Sequence, residues 1–474
     1  ILAAGLIIFL AGLPISIYAA RYGVDMDLLT RGAGFGYIGS TLTSLIYASF
    51  TFIFFALEAA IMAYALELAF DVPPAWGYLL CAIVVIPLVT HGVTAISSLQ
   101  SLTLPLWLVM LVVPYLFVFR ERPDILHELA AYGGEHGAGP GFSAHAFGAA
   151  LTVGIALITQ MGEQADYLRF MPEQTAANRR RWWAAVLVGG PGWVVLGVVK
   201  MLGGALLAYL AISNSVPAER AVDPNQMYLA AYEYVFPHLH WAVGATALFV
   251  VISQLKINVT NAYAGSLAWS NFFARLTHSH PGRVVWVVFN TLIALVLMEA
   301  NMFDFLNTIL GFYANCGMAW VVVVASDIVF NKFLLKLSPM QPEFRRGMLY
   351  NVNPVGFGSM LIAAGLSVVA FFGGLGEAVR PYSPLVAIGL GLVLPPILAL
   401  ATKGKYYLRR TDDGIDLPML DEHGNPSDAH LLCGHCHHEY ERPDMLADAA
   451  REGEYICSLC LSTDKTGKHV LPAQ

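Results

Sequence analysis

Four cysteines near the end of the chain have the spacing of a metal site. They form two pairs, Cys433 with Cys436 and Cys457 with Cys460, and twenty residues separate the pairs. Two cysteines in this spacing bind one metal together, and two such pairs complete a tetrahedral shell of four thiolates. A closed shell leaves no position for a substrate, so the pattern predicts a structural zinc site. Because so short a segment cannot form a sufficient core, the metal would supply much of its folding energy.

Other assignments of the cysteines remain open. A rubredoxin-like iron centre would use the same four thiolates. His435, His437 and His438 are alternative ligands, although we expect them to be exposed to solvent. A disulfide is disfavoured in a reducing cytoplasm. Cys81 and Cys316 lie in apolar runs, where cysteine packs as a small apolar residue.

Polar side chains inside long apolar runs form the second group. Glu58 lies in one run, and Lys256, Asn258 and Asn261 form a polar stripe in another. An ionisable group at membrane depth is costly unless it is paired or hydrated, so it marks a candidate site. Asn258 and Asn261 share a helix face, and their amides can donate to and accept from a planar heterocycle. The alternative role for the asparagines is hydrogen bonding between helices.

A further polar stripe ends the fifth apolar run. It contains Gln160, Glu163, Gln164 and Asp166. Because an arginine-containing loop follows, a solvated helix end with an ion pair explains this stripe as well as a binding site does. Lys200, inside the next run, is expected to pair with a neighbour or to extend towards the membrane interface.

The elements that must position these residues are membrane helices. Of 474 residues, 57% are apolar and 12% charged, whereas soluble proteins average about 45–50% and about 25%. This composition excludes a soluble enzyme and also the disordered, collagen-like and disulfide-rich classes. No nucleophile–base set or phosphate loop indicates an enzyme, no motif requires an organic cofactor, and no basic run suits nucleic acid.

Eleven stretches have about the 20 apolar residues that a bilayer crossing needs. They are residues 1–19, 39–69, 76–94, 101–119, 144–166, 184–211, 241–271, 285–300, 304–330, 357–375 and 382–402. If the loop after the first stretch is cytoplasmic and the sides alternate, the inner loops hold sixteen Lys and Arg residues and the outer loops four. This bias predicts a multi-pass protein of a bacterial-type inner membrane with a cytoplasmic C-terminal tail.

The first helix starts without a basic flank. Ile1 lies within an apolar run, and no small-residue cleavage site follows, so this run does not indicate a signal peptide. Eleven crossings and a cytoplasmic tail would leave Ile1 outside. We therefore expect one more helix before Ile1, for twelve in all.

Several short motifs, in this order, resemble the nucleobase–cation symporters, a family that includes cytosine and purine permeases and hydantoin transporters. The motifs lie at residues 18–23 with 31–40, at 166–170 (DYLRF), at 258–265 (NVTNAYAG) and at 326–327 (SD). The resemblance covers most of residues 1–402. It implies an all-α, LeuT-like architecture of two inverted five-helix repeats plus two helices, with the first helix missing. Transporters of this kind bind solute at mid-membrane beside discontinuous helices, which Gly154 and Gly162 would permit.

The resemblance also indicates where this chain departs from the family. In the third helix of the family a tryptophan stacks on the substrate and a glutamine hydrogen-bonds it, and here Phe54 and Glu58 occupy these positions. The second stacking tryptophan falls near Leu157. Stacking on an aromatic ring contributes about 1–3 kcal/mol per base. The loss of one of the two stacking rings therefore argues against an ordinary nucleobase bound between two aromatic rings, as in the family. The predicted substrate contacts are Phe54, Glu58, Leu157, Gln160, Asn258 and Asn261.

Lys256 occupies the place where sodium-coupled members of the family have small hydroxyl residues. We expect its ammonium to replace sodium, and Glu58 either to pair with it or to contact substrate. Transport would then be independent of sodium and linked to protons through Glu58.

Two functions fit this organisation. Residues 1–402 would form a permease-like membrane domain, 403–430 a cytoplasmic linker and 431–474 a zinc-knuckle segment. The first function is a secondary transporter of a small nitrogenous heterocycle in a lipid bilayer. The second is a solute-sensing module that signals through the tail to a fused or associated histidine kinase, because the cysteine segment resembles the one that joins permease-like modules to bacterial sensor kinases.

Overall fold

The computed structural model describes residues 1–134, 141–277, 281–300 and 306–409. In the tail it describes 419–420, 426–427, 430–441, 445–448, 450–457 and 460–461. Most of the predicted linker and the end of the predicted zinc-knuckle segment therefore lie outside the described residues.

The regular elements of the described membrane domain are helices, joined by turns and loops. Its α-helices are α1 (Leu2–Tyr22), α2 (Met26–Thr30), α3 (Ser40–Phe70), α4 (Pro74–Thr90), α5 (Val93–Glu121), α6 (Ile125–Ala131), α7 (Ala144–Ile155), α8 (Gln160–Leu168), α9 (Arg179–Gly189), α10 (Trp193–Ser213), α11 (Ala218–Ala221), α12 (Pro224–Tyr232), α13 (Leu239–Thr277), α14 (Arg283–Glu299), α15 (Leu306–Ser326), α16 (Ser359–Phe371) and α17 (Ser383–Ala401). Short 3-10 or π turns lie at Arg31–Phe35, Ala156–Thr159, Asp327–Leu334, Arg346–Met348, Pro354–Gly358 and Arg380–Tyr382.

Each of the eleven predicted apolar runs contains a helix. Among the described residues, nine helical segments are long and apolar enough to cross a membrane. The other two runs correspond to α4 and α14, of 17 residues each. The chain is thus a mostly helical, multi-pass membrane protein with an all-α membrane domain, as predicted.

The long helices α3 and α13 run antiparallel at the centre of the molecule. At one end, Arg275 of α13 donates a hydrogen bond to Ser44 of α3. Further along, Gly265 of α13 lies so close to α3 that an added Cβ would come within 2.5 Å of Thr51 Oγ1. Thr51 and Gly265 therefore fix the register between the two helices.

Two helix hairpins pack together in opposite directions. One is α3 with α4 and the other is α13 with α14, and α14 contacts both helices of the first hairpin. Asn290 of α14 joins them, because its Oδ1 accepts from Trp269 of α13 at 3.0 Å and from Thr51 of α3 at 3.2 Å. This is the arrangement that inverted repeats produce.

One face of the molecule is rich in basic residues. It contains the ends of α1, α8 and α13 with Arg21, Arg169 and Arg275. We call it the arginine-rich face. Two segments pair there, residues 31–39 and residues 343–353, and we call them the loop pair.

The loop pair is joined by backbone hydrogen bonds. The N–H groups of Ile38 and Gly39 both donate to the carbonyl oxygen of Asn351 at 2.8 Å. Gly36 adopts φ 83°, and a Cβ there would lie 2.5 Å from the Tyr350 carbonyl oxygen. This close approach explains why the segment at residues 31–36 (RGAGFG) is rich in glycine.

Replacing Gly36 with alanine should destabilise the protein by more than about 1 kcal/mol, because the new side chain meets both a left-handed φ and a backbone oxygen. Thermal unfolding of the purified protein in detergent measures this effect. Gly282→Ala is the matched control, since no atom of the described residues lies within 4 Å of a Cβ at that glycine, and it should change stability by less than about 0.5 kcal/mol. Equal losses in both variants would contradict the role given to the close approach.

The described tail residues form short β-hairpins. The strands are β1 (Met419–Leu420), β2 (Pro426–Ser427), β3 (His430–Leu432), β4 (Glu439–Glu441), β5 (Met445–Ala447) and β6 (Tyr455–Cys457). β3 pairs with β4 and β5 pairs with β6, both antiparallel. One cysteine pair lies in the turn after β3 and the other begins at the end of β6. The tail is therefore zinc-ribbon-like, as the spacing predicted.

Candidate functional site

The fifth apolar run is interrupted inside the membrane domain. α7 ends at Ile155, a 3-10 turn covers Ala156–Thr159, and α8 begins at Gln160. Such a change of helix type interrupts the regular hydrogen-bond ladder and often marks a functional hinge. Gly162 then allows α8 to approach α3, because a Cβ there would lie 2.7 Å from the ring of Tyr47. The run therefore stays helical from Ala144 to Leu168 but changes its hydrogen-bond pattern at mid-length, in the segment where the resemblance implied a discontinuity.

Glu163 is a buried carboxylate beside this interruption. It is 8% exposed, and its Oε1 accepts no hydrogen bond from any described residue. Its neighbour Gln164, by contrast, is held on both sides, since it donates to Ser16 and accepts from the indole N–H of Trp193. Gln164 thus has a structural role, whereas Glu163 is available to a solute or a proton.

The register between α3 and α13 places two predicted site residues, Glu58 and Asn258, at the same depth in the membrane domain. Thr51 lies against Gly265, and the helices run antiparallel. Seven residues further along α3 is Glu58, and seven residues back along α13 is Asn258. Glu58 therefore lies at the depth of Asn258, about two turns from the contact that fixes the register.

The two asparagines of α13 are fully buried and keep unused hydrogen-bonding groups. Asn261 Nδ2 lies 3.4 Å from Asn258 Oδ1, and each residue is 0% exposed. Asn258 Nδ2 and Asn261 Oδ1 have no partner among the described residues. Within that part of the chain the pair makes no side-chain bond to another helix, so it presents one unused donor and one unused acceptor.

The Lys256 ammonium bonds to α5 and not to Glu58. The Lys256 ammonium donates to the Gln100 carbonyl oxygen at 2.9 Å and to Thr103 Oγ1 at 3.0 Å, both on α5. Neither bond involves Glu58 of α3. The role of Glu58, as a partner of Lys256 or as a contact of substrate, remains a prediction.

The remaining predicted contacts, one on α3 and two at the interruption, are all half-buried. Phe54 is half-buried against Phe50, with ring centroids 4.5 Å apart. Leu157 lies in the 3-10 turn and is half-buried. Gln160 is also half-buried, at the start of α8. Their direct contact with a solute remains a prediction.

A network of ion pairs closes the arginine-rich face. On one side of the short helix α2, Asp25 accepts from Arg169 at 2.8 Å. On the other side, Asp27 lies 3.5 Å from the Arg275 guanidinium and accepts from Asn271 at 3.0 Å. These bonds hold the ends of α8 and α13 to α2, and we call them the α2 network.

Asp166 extends the α2 network to α3. Its carboxylate accepts from the Tyr47 hydroxyl at 2.8 Å and from the Met26 N–H at 3.2 Å. The carboxylate of Asp166, for which the sequence left a solvated helix end and a binding site open, is thus 2% exposed and bonded to α3 and α2. The arginine-rich face is joined by bonds among α2, α3, α8 and α13.

Sequence reasoning placed Glu163 in a candidate polar stripe but not among the predicted substrate contacts. The available signal was its spacing from Gln160 and Tyr167, which places all three on one helix face. Only the structure shows that this face is turned into the protein. The partners of Asp25 and Asp27 had no local signal, because they are distant in sequence.

The four predicted metal ligands converge. The Sγ atoms of Cys433, Cys436, Cys457 and Cys460 all lie within 4.8 Å of one another. The Sγ atoms of Cys436 and Cys457 are 3.8 Å apart, the spacing of about 3.8 Å that a tetrahedron with Zn–S bonds of about 2.3 Å requires. The donor set and its geometry therefore fit a tetrahedral metal such as zinc.

Backbone N–H groups favour a thiolate at Cys433, whereas burial raises the pKa of the Cys457 and Cys460 thiols. The N–H of Cys457 donates to Cys433 Sγ and the N–H of Cys460 donates to Cys457 Sγ, both at 3.3 Å. Burial alone would raise the pKa of the Cys433 thiol, but backbone N–H groups bring that pKa down to about 7. His435, His437 and His438 are exposed or near solvent and lie outside the cluster. Cysteine is therefore the ligand type that the described tail offers.

No protein-family model matches the sequence, and no curated protein matches it. Solved structures do share its fold. A nucleobase-cation-symport-1 family transporter, in a closed conformation with bromovinylhydantoin bound, is 16% identical with a TM-score of 0.59, over 85% of this chain and 88% of that chain. The inward-facing conformation of that transporter is 16% identical with a TM-score of 0.54, over 86% and 85%.

A more distant structure has the same architecture. It is the substrate-bound, outward-open state of a Na+-coupled sialic acid symporter, which is 12% identical with a TM-score of 0.51, over 86% of this chain and 91% of that chain. The membrane domain therefore has the LeuT-like fold of inverted repeats, and the fold implied by the resemblance to the nucleobase–cation symporters is confirmed.

Proposed function

We propose that the protein is a secondary active transporter of a small nitrogenous heterocycle that works by alternating access. The observation that carries this proposal is the interruption between α7 and α8, which lies beside buried polar groups that have no partner among the described residues. Glu163 lies on α8, and Asn258 and Asn261 lie on the inverted hairpin that packs against α3. Binding between inverted repeats at a discontinuous helix is the general scheme of such transporters.

The unused groups indicate the class of solute. Asn258 offers an N–H donor and Asn261 a carbonyl acceptor. A planar ring with neighbouring C=O and N–H groups, as in hydantoins and nucleobases, complements such a pair. The bromovinylhydantoin bound to the transporter with a similar fold belongs to this class. Because leucine stands at Leu157, we expect the solute to stack on one aromatic wall at most.

We expect Asn258→Ala to weaken solute binding about 10- to 100-fold, since it leaves a desolvated solute group without a partner at a cost of about 1–3 kcal/mol. The measurement is a calorimetric binding screen of nucleobases, hydantoins and amino acids on the purified protein, with and without sodium. Thr260→Ala is the matched control on the same helix, because the Thr260 hydroxyl bonds to the Ile257 carbonyl of its own turn. If every compound binds both variants equally, or none binds the native protein, the proposed site is wrong.

We further propose that transport is independent of sodium. The Lys256 ammonium is fixed between α13 and α5 by bonds to Gln100 and Thr103. A resident cation at this position removes the need for a transported one and repels it. Glu58, at the depth of the asparagines, or Glu163 would then link transport to protons.

Lys256→Thr should create sodium-stimulated uptake, because it replaces the ammonium by a hydroxyl that can coordinate a cation. Uptake of the solute identified by binding is measured in proteoliposomes with and without an inward sodium gradient. Thr103→Ala removes one partner of Lys256 but keeps its charge, so uptake by this control should stay independent of sodium. Native uptake that rises with the sodium gradient would refute the proposal.

We place the arginine-rich face and the tail in the cytoplasm of a bacterial-type cell, with the domain in its inner membrane, because basic loops stay on the cytoplasmic side. The four cysteines would then hold a structural zinc ion. A reducing compartment keeps such thiols available to a metal.

A solute-sensing module is the second candidate function. It is favoured by the tail, because a plain transporter has no need of a metal knuckle packed on its membrane domain. A histidine kinase encoded in the same reading frame after Gln474 would support the sensing function over transport alone. Solute uptake by the purified chain would show that it also transports.

A further inference from the structure

The cysteine cluster does not form its core alone. Met348 is 0% exposed and packs in one apolar cluster with Cys433, Cys457 and Cys460. Met348 belongs to the 343–353 segment of the loop pair. A side chain of the membrane domain thus completes the core of the metal knuckle.

The docking is reinforced by the chain that leaves α17. The Arg409 N–H donates to the Met348 carbonyl oxygen at 3.0 Å. Leu408 packs against the cysteine cluster and also against the apolar cluster that contains Tyr407 and Val355. The knuckle is therefore anchored to the arginine-rich face by both side-chain and backbone contacts.

The loop pair connects this docking surface to the α2 network. The Asn353 N–H donates to the Phe35 carbonyl oxygen at 3.0 Å, and the Tyr37 N–H donates to the Tyr350 carbonyl oxygen at 3.0 Å. Residues 31–39 follow directly on α2, whose aspartates bind Arg169 and Arg275. An unbroken series of contacts thus runs from the cysteines through Met348 and the loop pair to the ends of α8 and α13.

The packing of Met348 against the cysteine cluster depends on the metal, because the metal folds the knuckle. Small metal-bound segments are folded with their metal and unfolded without it. When the knuckle unfolds, Met348 loses the apolar surroundings that hold residues 343–353 in place. By linkage, any change in the loop pair must also alter the affinity of the knuckle for its metal.

We propose that metal binding at the four cysteines controls the opening of the arginine-rich face, and that Met348 is the positioning residue that couples the two. With metal bound, the docked knuckle holds the loop pair and the α2 network closed. Without metal, the loop pair loosens and the face opens more readily. The inference rests on the proposed function only in requiring that this face opens during a transport or sensing cycle.

Hydrogen exchange of the full chain in nanodiscs tests the proposal without any solute. Exchange of the amides at residues 35–39 is measured by mass spectrometry in the zinc-loaded and the chelator-stripped protein. We expect stripping to speed their exchange about tenfold, because loss of the docked knuckle lowers the local free energy of opening. Met348→Ser should bind one zinc ion per chain but show the same fast exchange with and without metal.

Met348→Leu is the matched control, because it keeps the apolar volume, and exchange at residues 35–39 should depend on zinc as in the native chain. Met348→Ala is measured beside Met348→Ser in case serine prevents folding of the knuckle. The proposal is overturned if stripping zinc from the native chain speeds exchange in β5 and β6 but leaves residues 35–39 unchanged. It is also overturned if a variant that lacks the methionine keeps the native dependence on zinc. Because the readout is exchange, failure of the proposed transport activity would leave this result unaffected.

Discussion

Cys457→Ser should abolish stoichiometric metal binding and unfold the cysteine-rich tail, while the membrane helices remain folded. The Cys457 sulfur is fully buried, lies 3.8 Å from Cys436 Sγ and accepts the Cys460 N–H. Structural zinc sites of this kind contribute about 10–16 kcal/mol of apparent binding free energy at neutral pH. Loss of one of four thiolates removes much of that energy, and the short hairpins of the tail cannot replace it.

Metal per chain, measured by elemental analysis of the purified protein, checks this prediction. The absorption bands of the cobalt-substituted protein report tetrahedral thiolate coordination independently. Cys316→Ser is the matched control, because Cys316 lies in α15, outside the cluster, and it should keep the full metal content. Full metal content in Cys457→Ser would show that the thiolates do not form the site. Elemental analysis of the native chain also separates zinc from the rubredoxin-like iron alternative.

The helices and the metal ligands were predictable because their physical causes are local. In lipid, every backbone group must be satisfied within a helix, so long apolar runs such as 241–271 can adopt little else. The observed helix, Leu239–Thr277, extends that run at both ends by residues that leave the apolar region. Cysteine spacing is likewise a local property, because two residues between cysteines place both sulfurs on one turn.

The polar contacts were not predictable, because they join residues that are distant in sequence. Asp27 and Arg275 are 248 residues apart, and Lys256 and Gln100 are 156 apart. Helical spacing shows which residues share a face, but it does not show which helix that face meets. Glu163 shows this limit well. Its neighbours on the sequence left a solvated helix end and a binding site equally open, whereas α8 packs against α1 and α13 and Glu163 is 8% exposed.

Arg275→Gln should lower the free energy of unfolding by about 3–5 kcal/mol, because it leaves the buried Asp27 carboxylate without its cation. The two side chains are 2% and 5% exposed, and the guanidinium also donates to Ser40, Ser44 and the Asn271 carbonyl. Denaturant unfolding of the purified protein in mixed micelles gives the measurement. Asp27→Asn alone should cost a similar amount, since Arg275 then stays buried without a counter-charge.

The double variant distinguishes an ion pair from two independent packing defects. If Asp27 and Arg275 stabilise each other, Asp27→Asn combined with Arg275→Gln should cost clearly less than the sum of the single changes, because no unpaired buried charge remains. Arg380→Gln is the control, because its pair with Glu377 is 52% and 78% exposed, and it should cost less than about 0.5 kcal/mol. Strictly additive losses would mean that the charges act separately. The α2 network would then not be the element that holds α13 to α2 on the arginine-rich face.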